Sequence, residues 1–361
     1  MKTTDSLFRL AKPPEITKSL SKPSKIMTSK IFQTFCATTA ILFSSTAIAQ
    51  DATDPVGVVT LTVPAGSDAA LATPLHRAEV FQGAVLQVDS SSVITVSGSP
   101  GWSLDQFSMS HYIFVKSGNK AGSFAVISSN TASQLTLSYV SEDLQLGQVG
   151  GLVNGDSVAV IPFWTLSTLF PDSSTPDGAE VLLFDRESSG INLSSSQTFT
   201  NFDDYGWFNG STEGNDMPIY PDESFILRTP TGSPMTISFV GNVNMDINKL
   251  ILTLVESSVT QDIRISSTLP IPIGLQQFID PGAQGDGDEV LFFDNSASGV
   301  NKSSTQSAVY FDGFGWFNGS TNMNDFPVNP GEGIIYRKSG DNNSELAVVV
   351  PDPTSVTPLA E

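Results

Sequence analysis

The sequence predicts an all-β protein, with a small N-terminal antiparallel β-barrel or sandwich followed by two tandem homologous β-modules that carry short helical segments. Three observations lead there. Short alternating or β-branched runs separated by turn formers recur along the chain, the pattern of half-buried strands. Beyond residue 49 no long apolar pattern of helical period is found. Gly206-Trp207-Phe208-Asn209-Gly210-Ser211-Thr212 returns unchanged as Gly315-Trp316-Phe317-Asn318-Gly319-Ser320-Thr321, an offset of 316 − 207 = 109 residues. Aligning Glu180 to Arg228 with Glu289 to Arg337 without a gap leaves 27 of 49 positions identical, which shared composition does not produce.

Taken in order, residues 1–49 hold seven Lys or Arg and two acids, and Ile31 to Ala49 is apolar and small, ending Ala47-Ile48-Ala49-Gln50. That is the grammar of a secretory signal peptide cleaved after Ala49, and a start at Met27 would give it ordinary length. The competing reading, a membrane anchor, is weak because about 19 residues rich in Ser and Thr make a marginal span. Residues 50–156 form an N-terminal β-domain, with runs such as Val58 to Val63, Val80 to Val88, Tyr112 to Val115 and Phe124 to Ile127. Hairpin-length connections between those runs imply antiparallel pairing.

Residues 157–265 make repeat module 1 together with a connecting strand, and residues 266–350 make repeat module 2. Each opens on an apolar segment, Phe163 to Phe170 or Pro272 to Ile279, long enough for two helical turns. A strand follows (Glu180 to Phe184; Glu289 to Phe293), then a Ser/Asn-rich loop, the Gly-Trp-Phe-Asn-Gly block and a closing strand that ends in Arg228 or Arg337. Residues 351–361 form a Pro/Thr-rich flexible tail.

The formal net charge is −20, and removal of residues 1–49 leaves ten basic against 35 acidic residues, 10 − 35 = −25. Such a surface repels nucleic acid and anionic lipid, so neither is expected as a partner. Cys36, the only cysteine, falls within the signal, which leaves the mature chain without disulfides or thiolate chemistry. Stability then rests on burial.

Asn-Gly in the repeated block is a strong tight-turn signal, because both residues accept positive φ. In one reading Trp207 and Trp316 pack beneath that turn as core anchors. In the other, the Trp207-Phe208 and Trp316-Phe317 pairs present an apolar platform to a ligand, and Asp216 and Asp325 bond sugar hydroxyls. Neighbours on a strand point to opposite faces, so only one ring of each pair need be buried. Arg228 and Arg337 are expected in structural ion pairs with carboxylates such as Asp185 or Asp294.

The abundance of acids raises calcium as a possible ligand, around Asp280 to Glu289 or the alternating Asn242, Asn244, Asp246 and Asn248, but neither run has the ligand order of a calcium hand. Cofactors are otherwise not expected. The two histidines, His76 and His111, lie apart and outside any metal-ligand spacing, and no nucleophile motif precedes a helix, so no catalytic residues emerge.

The succession Thr60-Leu61-Thr62-Val63-Pro64-Ala65-Gly66-Ser67-Asp68, Pro74-Leu75-His76-Arg77, Phe114-Val115-Lys116-Ser117-Gly118 and Ile161-Pro162-Phe163-Trp164-Thr165-Leu166 resembles an uncharacterised family of exported β-rich proteins described mainly from Verrucomicrobia. The resemblance spans nearly the whole mature chain and implies export without implying an activity. The expectation is an exported, non-enzymatic surface, matrix or ligand-binding protein of a bacterium, periplasmic, outer-surface or extracellular. Its expected partners are extracellular polysaccharide or surface proteins, and the alternative is a polysaccharide-active enzyme or carbohydrate-binding accessory protein.

Overall fold

The computed structural model describes residues 55–138, 144–252, 256, 258–279, 284–341, 346–356 and 359. The segment assigned to export, 1–49, lies outside them. The chain is all-β, with helix confined to single turns. Two strands open it, β1 (Val56–Val63) and β2 (Asp68–Ala72). Six more follow: β3 (Phe81–Val88), β4 (Val93–Val96), β5 (His111–Val115), β6 (Phe124–Asn130), β7 (Gln134–Ser138) and β8 (Ser157–Pro162). These six close into a barrel of order β3-β4-β7-β6-β5-β8, antiparallel at every junction. Closure leaves no edge strand exposed. Strand alternation sends Ile113 and Val115 inward with Ile94, Ile127 and Val160. It sends Tyr112 and Phe114 outward, where they join Phe124, Ile161 and Phe163 in a second apolar cluster on the barrel wall.

Module 1 continues with β9 (Trp164–Thr165), α1 (Leu166–Leu169), β10 (Glu180–Leu183), β11 (Gln197–Phe202), β12 (Gly206–Asn209), β13 (Thr212–Glu213), β14 (Pro218–Ile219), β15 (Ser224–Arg228) and β16 (Met235–Asn242). Module 2 holds β17 (Asn248–Leu252), β18 (Gln261–Ser266), β19 (Ile273–Gly274), α2 (Leu275–Phe278), β20 (Glu289–Phe292), β21 (Gln306–Phe311), β22 (Gly315–Asn318), β23 (Thr321–Asn322), β24 (Pro327–Val328), β25 (Gly333–Lys338) and β26 (Leu346–Val350). The two main sheets have the same plan, β13-β12-β11-β10-β15-β2 and β23-β22-β21-β20-β25-β18. Their registers keep the sequence offset, with Glu180 opposite Arg228 and Glu289 opposite Arg337. The accompanying ribbons also correspond, β1-β16 with β17-β26 and β9-β14 with β19-β24.

Strand pairing therefore groups the chain differently from its linear order. Residues 56–72, assigned from sequence to the N-terminal domain, supply β1 and β2 to module 1. Residues 248–265, assigned to module 1 with its connecting strand, supply β17 and all but the last residue of β18 to module 2. The barrel is an insertion in module 1, placed between β2 and β9, where module 2 joins β18 to β19 with a short link. Sequence identity could not reveal this, because β2 and β18 share backbone pairing more than they share residues.

Each sheet buries its repeated indole. Trp207 lies among Leu166, Phe170, Phe199 and Phe225, and its Nε1 donates to the Phe170 carbonyl at 3.1 Å. Trp316 lies among Phe278, Tyr310 and Tyr336. Arg228 and Arg337 are not paired with Asp185 or Asp294. Arg228 Nε and Nη2 donate to Asp68 at 2.7 and 3.1 Å, and its Nη1 reaches Glu180 at 3.3 Å. Arg337 does the same with Asp262, at 2.7 and 3.1 Å, and with Glu289 at 3.5 Å. The reason is register, since Asp68 stands directly opposite Arg228 on β2 and Asp262 directly opposite Arg337 on β18. Asp185 and Asp294 instead accept from Glu187 N and Ser296 N within their own loops.

Those loops tie the modules together reciprocally. Asn192 N, from module 1, donates to Asp262 of module 2 at 2.7 Å, while Asn301 N, from module 2, donates to Asp68 of module 1 at 2.6 Å. Asp262 N reaches the Gly190 carbonyl and Asp68 N the Gly299 carbonyl at 2.9 and 3.0 Å. Since 301 − 192 and 299 − 190 both equal 109, each module presents the same loop to the same site on the other, as a two-fold interface would.

Candidate functional site

The duplicated hairpins β11-β12 and β21-β22 carry the most exposed aromatic surface of both modules. Each turns sharply before its Trp, at Gly206 (φ 84°) and Gly315 (φ 96°). A Cβ on either glycine would lie within 2.5 Å of an amide oxygen, Asn215 Oδ1 or Asn324 Oδ1. Those same oxygens accept from Trp207 N at 2.8 Å and Trp316 N at 2.7 Å. The amide bond and the glycine together orient the strand so that Trp faces the core.

The opposite face of each hairpin is aromatic too. Phe208 packs edge-on against Phe202, and Phe317 against Phe311, with ring centroids 6.1 Å apart in both copies. Phe202 and Phe311 are 46% and 45% exposed, and the turn residues Tyr205 and Phe314 are 74% and 75% exposed. Each module thus presents an aromatic ridge, an edge-packed Phe pair with a third exposed ring, Tyr205 or Phe314, at the turn of the same hairpin, with matching exposure in the two copies. Single exposed apolar side chains need no explanation, but a clustered and duplicated set does.

The residues expected from sequence separate on this frame. Trp207 and Trp316 lie in the core and offer no face to a ligand. Phe208 and Phe317 are half-buried at the base of the ridges, and Asp216 and Asp325 are exposed beyond the hairpins, on the approach to β14 and β24. Sequence reasoning missed Phe202, Tyr205, Phe311 and Phe314. Their signal stands immediately before the repeated block, in Phe202-Asp203-Asp204-Tyr205-Gly206 and Phe311-Asp312-Gly313-Phe314-Gly315.

Carboxylates flank the module 1 ridge, where oxygens of Asp172, Asp203 and Asp204 lie within 4.8 Å of one another. Asp172 accepts from Asp204 N at 3.0 Å, and Asp177 accepts from Asp203 N at 3.1 Å. Module 2 keeps the second bond, from Asp312 N to Asp286 at 2.9 Å, but has Gly313 in place of Asp204. The triple-acid arrangement is therefore a feature of one copy.

The groups considered for calcium are engaged with protein donors. Asp280 lies outside the described residues. Asp288 is buried and accepts from the Tyr336 hydroxyl, from Ser339 N at 2.7 Å and from Gly285 N at 2.8 Å. Asp246 pairs with Lys116 at 3.3 Å, and Asn244 donates to Asn248 at 2.9 Å. Of the histidines, His111 is pushed down to about 4 by burial and by the nearby Arg77. It contacts Ser110 Oγ at 2.8 Å and packs on Phe107. His76 lies apart, with Nδ1 at 2.8 Å from the Arg77 carbonyl.

Among the described residues no helix is long and apolar enough to cross a membrane. Comparison of the chain with protein-family models, curated proteins and solved structures finds no match.

Proposed function

We propose that this is an exported, non-enzymatic binding protein of the cell surface or extracellular matrix, and that its two aromatic ridges engage polysaccharide chains. The observation that carries the reading is the duplicated exposure of Tyr205 and Phe314 beside the paired rings Phe202-Phe208 and Phe311-Phe317. Pyranose rings have apolar C–H faces that stack on aromatic rings, and the aspartates beside the ridges, Asp203 and Asp312, are placed to accept from sugar hydroxyls. Two equivalent ridges on one chain convert weak contacts into avidity.

Affinity electrophoresis and pull-down against a panel of neutral and acidic polysaccharides test this. Tyr205→Ala or Phe314→Ala alone should weaken retention by about tenfold, and the double variant should abolish it while thermal stability stays unchanged. Retention of the double variant at wild-type strength would exclude the ridges as the binding surface.

The alternative, a polysaccharide-active enzyme, is favoured by one observation, the Asp172-Asp203-Asp204 group beside the module 1 ridge. Paired carboxylates are the machinery of glycoside hydrolysis. Release of reducing ends that disappears in Asp203→Asn and Asp204→Asn would establish that alternative, and their absence would exclude it.

A further inference from the structure

The way the modules dock fixes how their two ridges are related. Asn192 N of module 1 donates to Asp262 of module 2, and Asn301 N of module 2 donates to Asp68 of module 1. The rotation that carries module 1 onto module 2 therefore also carries module 2 back onto module 1. Among rotations only a half-turn does this, so the modules dock as an isologous two-fold pair. The seam is built accordingly, with the sheets meeting through β2 and β15 of one module and β18 and β25 of the other.

The ridges lie at the far ends of those sheets. From the seam outward the strands run β2, β15, β10, β11, β12 in module 1 and β18, β25, β20, β21, β22 in module 2. At about 4.8 Å between neighbours, each ridge hairpin begins three strands, or about 14 Å, beyond the innermost strand of its sheet. A line joining equivalent points of a two-fold pair is perpendicular to the axis, and the half-turn reverses direction along it. A straight chain laid from one ridge to the other would consequently cross them in opposite senses. Polysaccharide chains have distinct reducing and non-reducing ends, and an aromatic ridge flanked on one side by an acid, Asp203 or Asp312, distinguishes the two senses. One extended chain thus cannot satisfy both ridges, and avidity along a single chain is lost where geometry forbids simultaneous engagement.

On the reading that the ridges bind polysaccharide, we propose that this protein is a cross-linker, in which each ridge holds a separate extended chain and the two chains run antiparallel. The formal charge of −20 selects neutral chains, because an acidic polymer is repelled. Two-ridge avidity then operates between neighbouring chains of a matrix, which the protein ties together.

Light scattering from dilute hydroxyethylcellulose, xyloglucan and glucomannan, three neutral extended polymers, tests this as the whole protein is added. With at least one of them the scattering mass should rise to a maximum and fall again once excess protein occupies each chain through one ridge only. Tyr205 and Phe314 are 74% and 75% exposed, so either can be truncated without opening the core. Tyr205→Ala and Phe314→Ala should each remain bound to that polymer in affinity electrophoresis, about tenfold more weakly, and should each reduce the rise in scattering about tenfold. Retention of the wild-type protein with no rise in scattering overturns the cross-linking and leaves the ridges as a binding surface. A full rise in either single variant also overturns it, since one ridge then suffices. Retention by none of the three polymers removes the neutral partner and the cross-linking with it, and the wider polysaccharide panel then decides the ridge reading separately.

Discussion

Trp207 and Trp316 show how one residue type, repeated, performs the same structural task in slightly different surroundings. Both are fully buried, and Trp207 also satisfies its indole N–H on the Phe170 carbonyl, whereas the corresponding carbonyl in module 2, Ile279, accepts from Gln284 Nε2 at 2.7 Å. Replacement of either by Ala should cost about 3–5 kcal/mol through lost transfer energy and the cavity left behind. Chemical denaturation of both variants checks this, and near-wild-type midpoints would refute the packing role. Glu223 makes a second prediction at this scale. Burial raises its carboxyl from 4.5 to about 7; Arg186 opposes the rise and Asp222 adds to it. The folded protein holds that proton more tightly than the unfolded chain, so Glu223's contribution to stability falls as pH rises from about 4.5 to about 7. Glu223→Gln should flatten that part of the stability-pH curve, and an unaltered slope would show that the carboxyl titrates normally.

Among the elements, β2 and β18 matter most, because each completes a sheet and also supplies the acid that holds the closing arginine. Asp68 and Asp262 accept from that arginine and, at the same time, from the Asn301 or Asn192 amide of the opposite module. Removing either acid strips three donors at once. Asp262→Ala should therefore cost about 3 kcal/mol and should loosen the seam, because it leaves the Arg337 guanidinium largely buried without its main partner. Hydrogen exchange at Asn192 and along β25 would register the loosening. Protection equal to wild type there would mean that Glu289 alone suffices to hold Arg337. The repeat was legible in β10 to β15 and β20 to β25 down to register, since an ungapped 109-residue offset leaves no room for a bulge in one copy. The partner of each arginine was not legible, because Asp68 lies 160 residues from Arg228 and only strand pairing brings them together.

Across the whole molecule, three compact parts meet without a disulfide, and hydrogen-bonded loops join the two modules. The chain's formal charge of −20 is spread over an all-β scaffold whose exposed apolar surface includes two matching ridges. N-terminal sequencing of protein exported from a bacterial host should find Gln50 first, and recovery of material that retains Cys36 would refute cleavage after Ala49. Binding to acidic polymers should strengthen with added salt as repulsion is screened, whereas binding to neutral polymers should hardly respond, which separates stacking from charge as the source of affinity.

Sequence alone determined the fold class, the duplication and the placing of the two rings of each Trp-Phe pair on opposite strand faces, because alternation, turn residues and identity at fixed offset are local properties of the chain. It could not decide which strands belong to which module. Antiparallel pairing is set by the match of backbone edges and apolar faces in space, and here it draws β1 and β2 across an intervening barrel to β16 and β15. The ridges and the reciprocal Asp-Arg seam both depend on that closure. Each is made by residues whose side chains meet only after distant segments have packed, and no spacing along the chain records such a meeting.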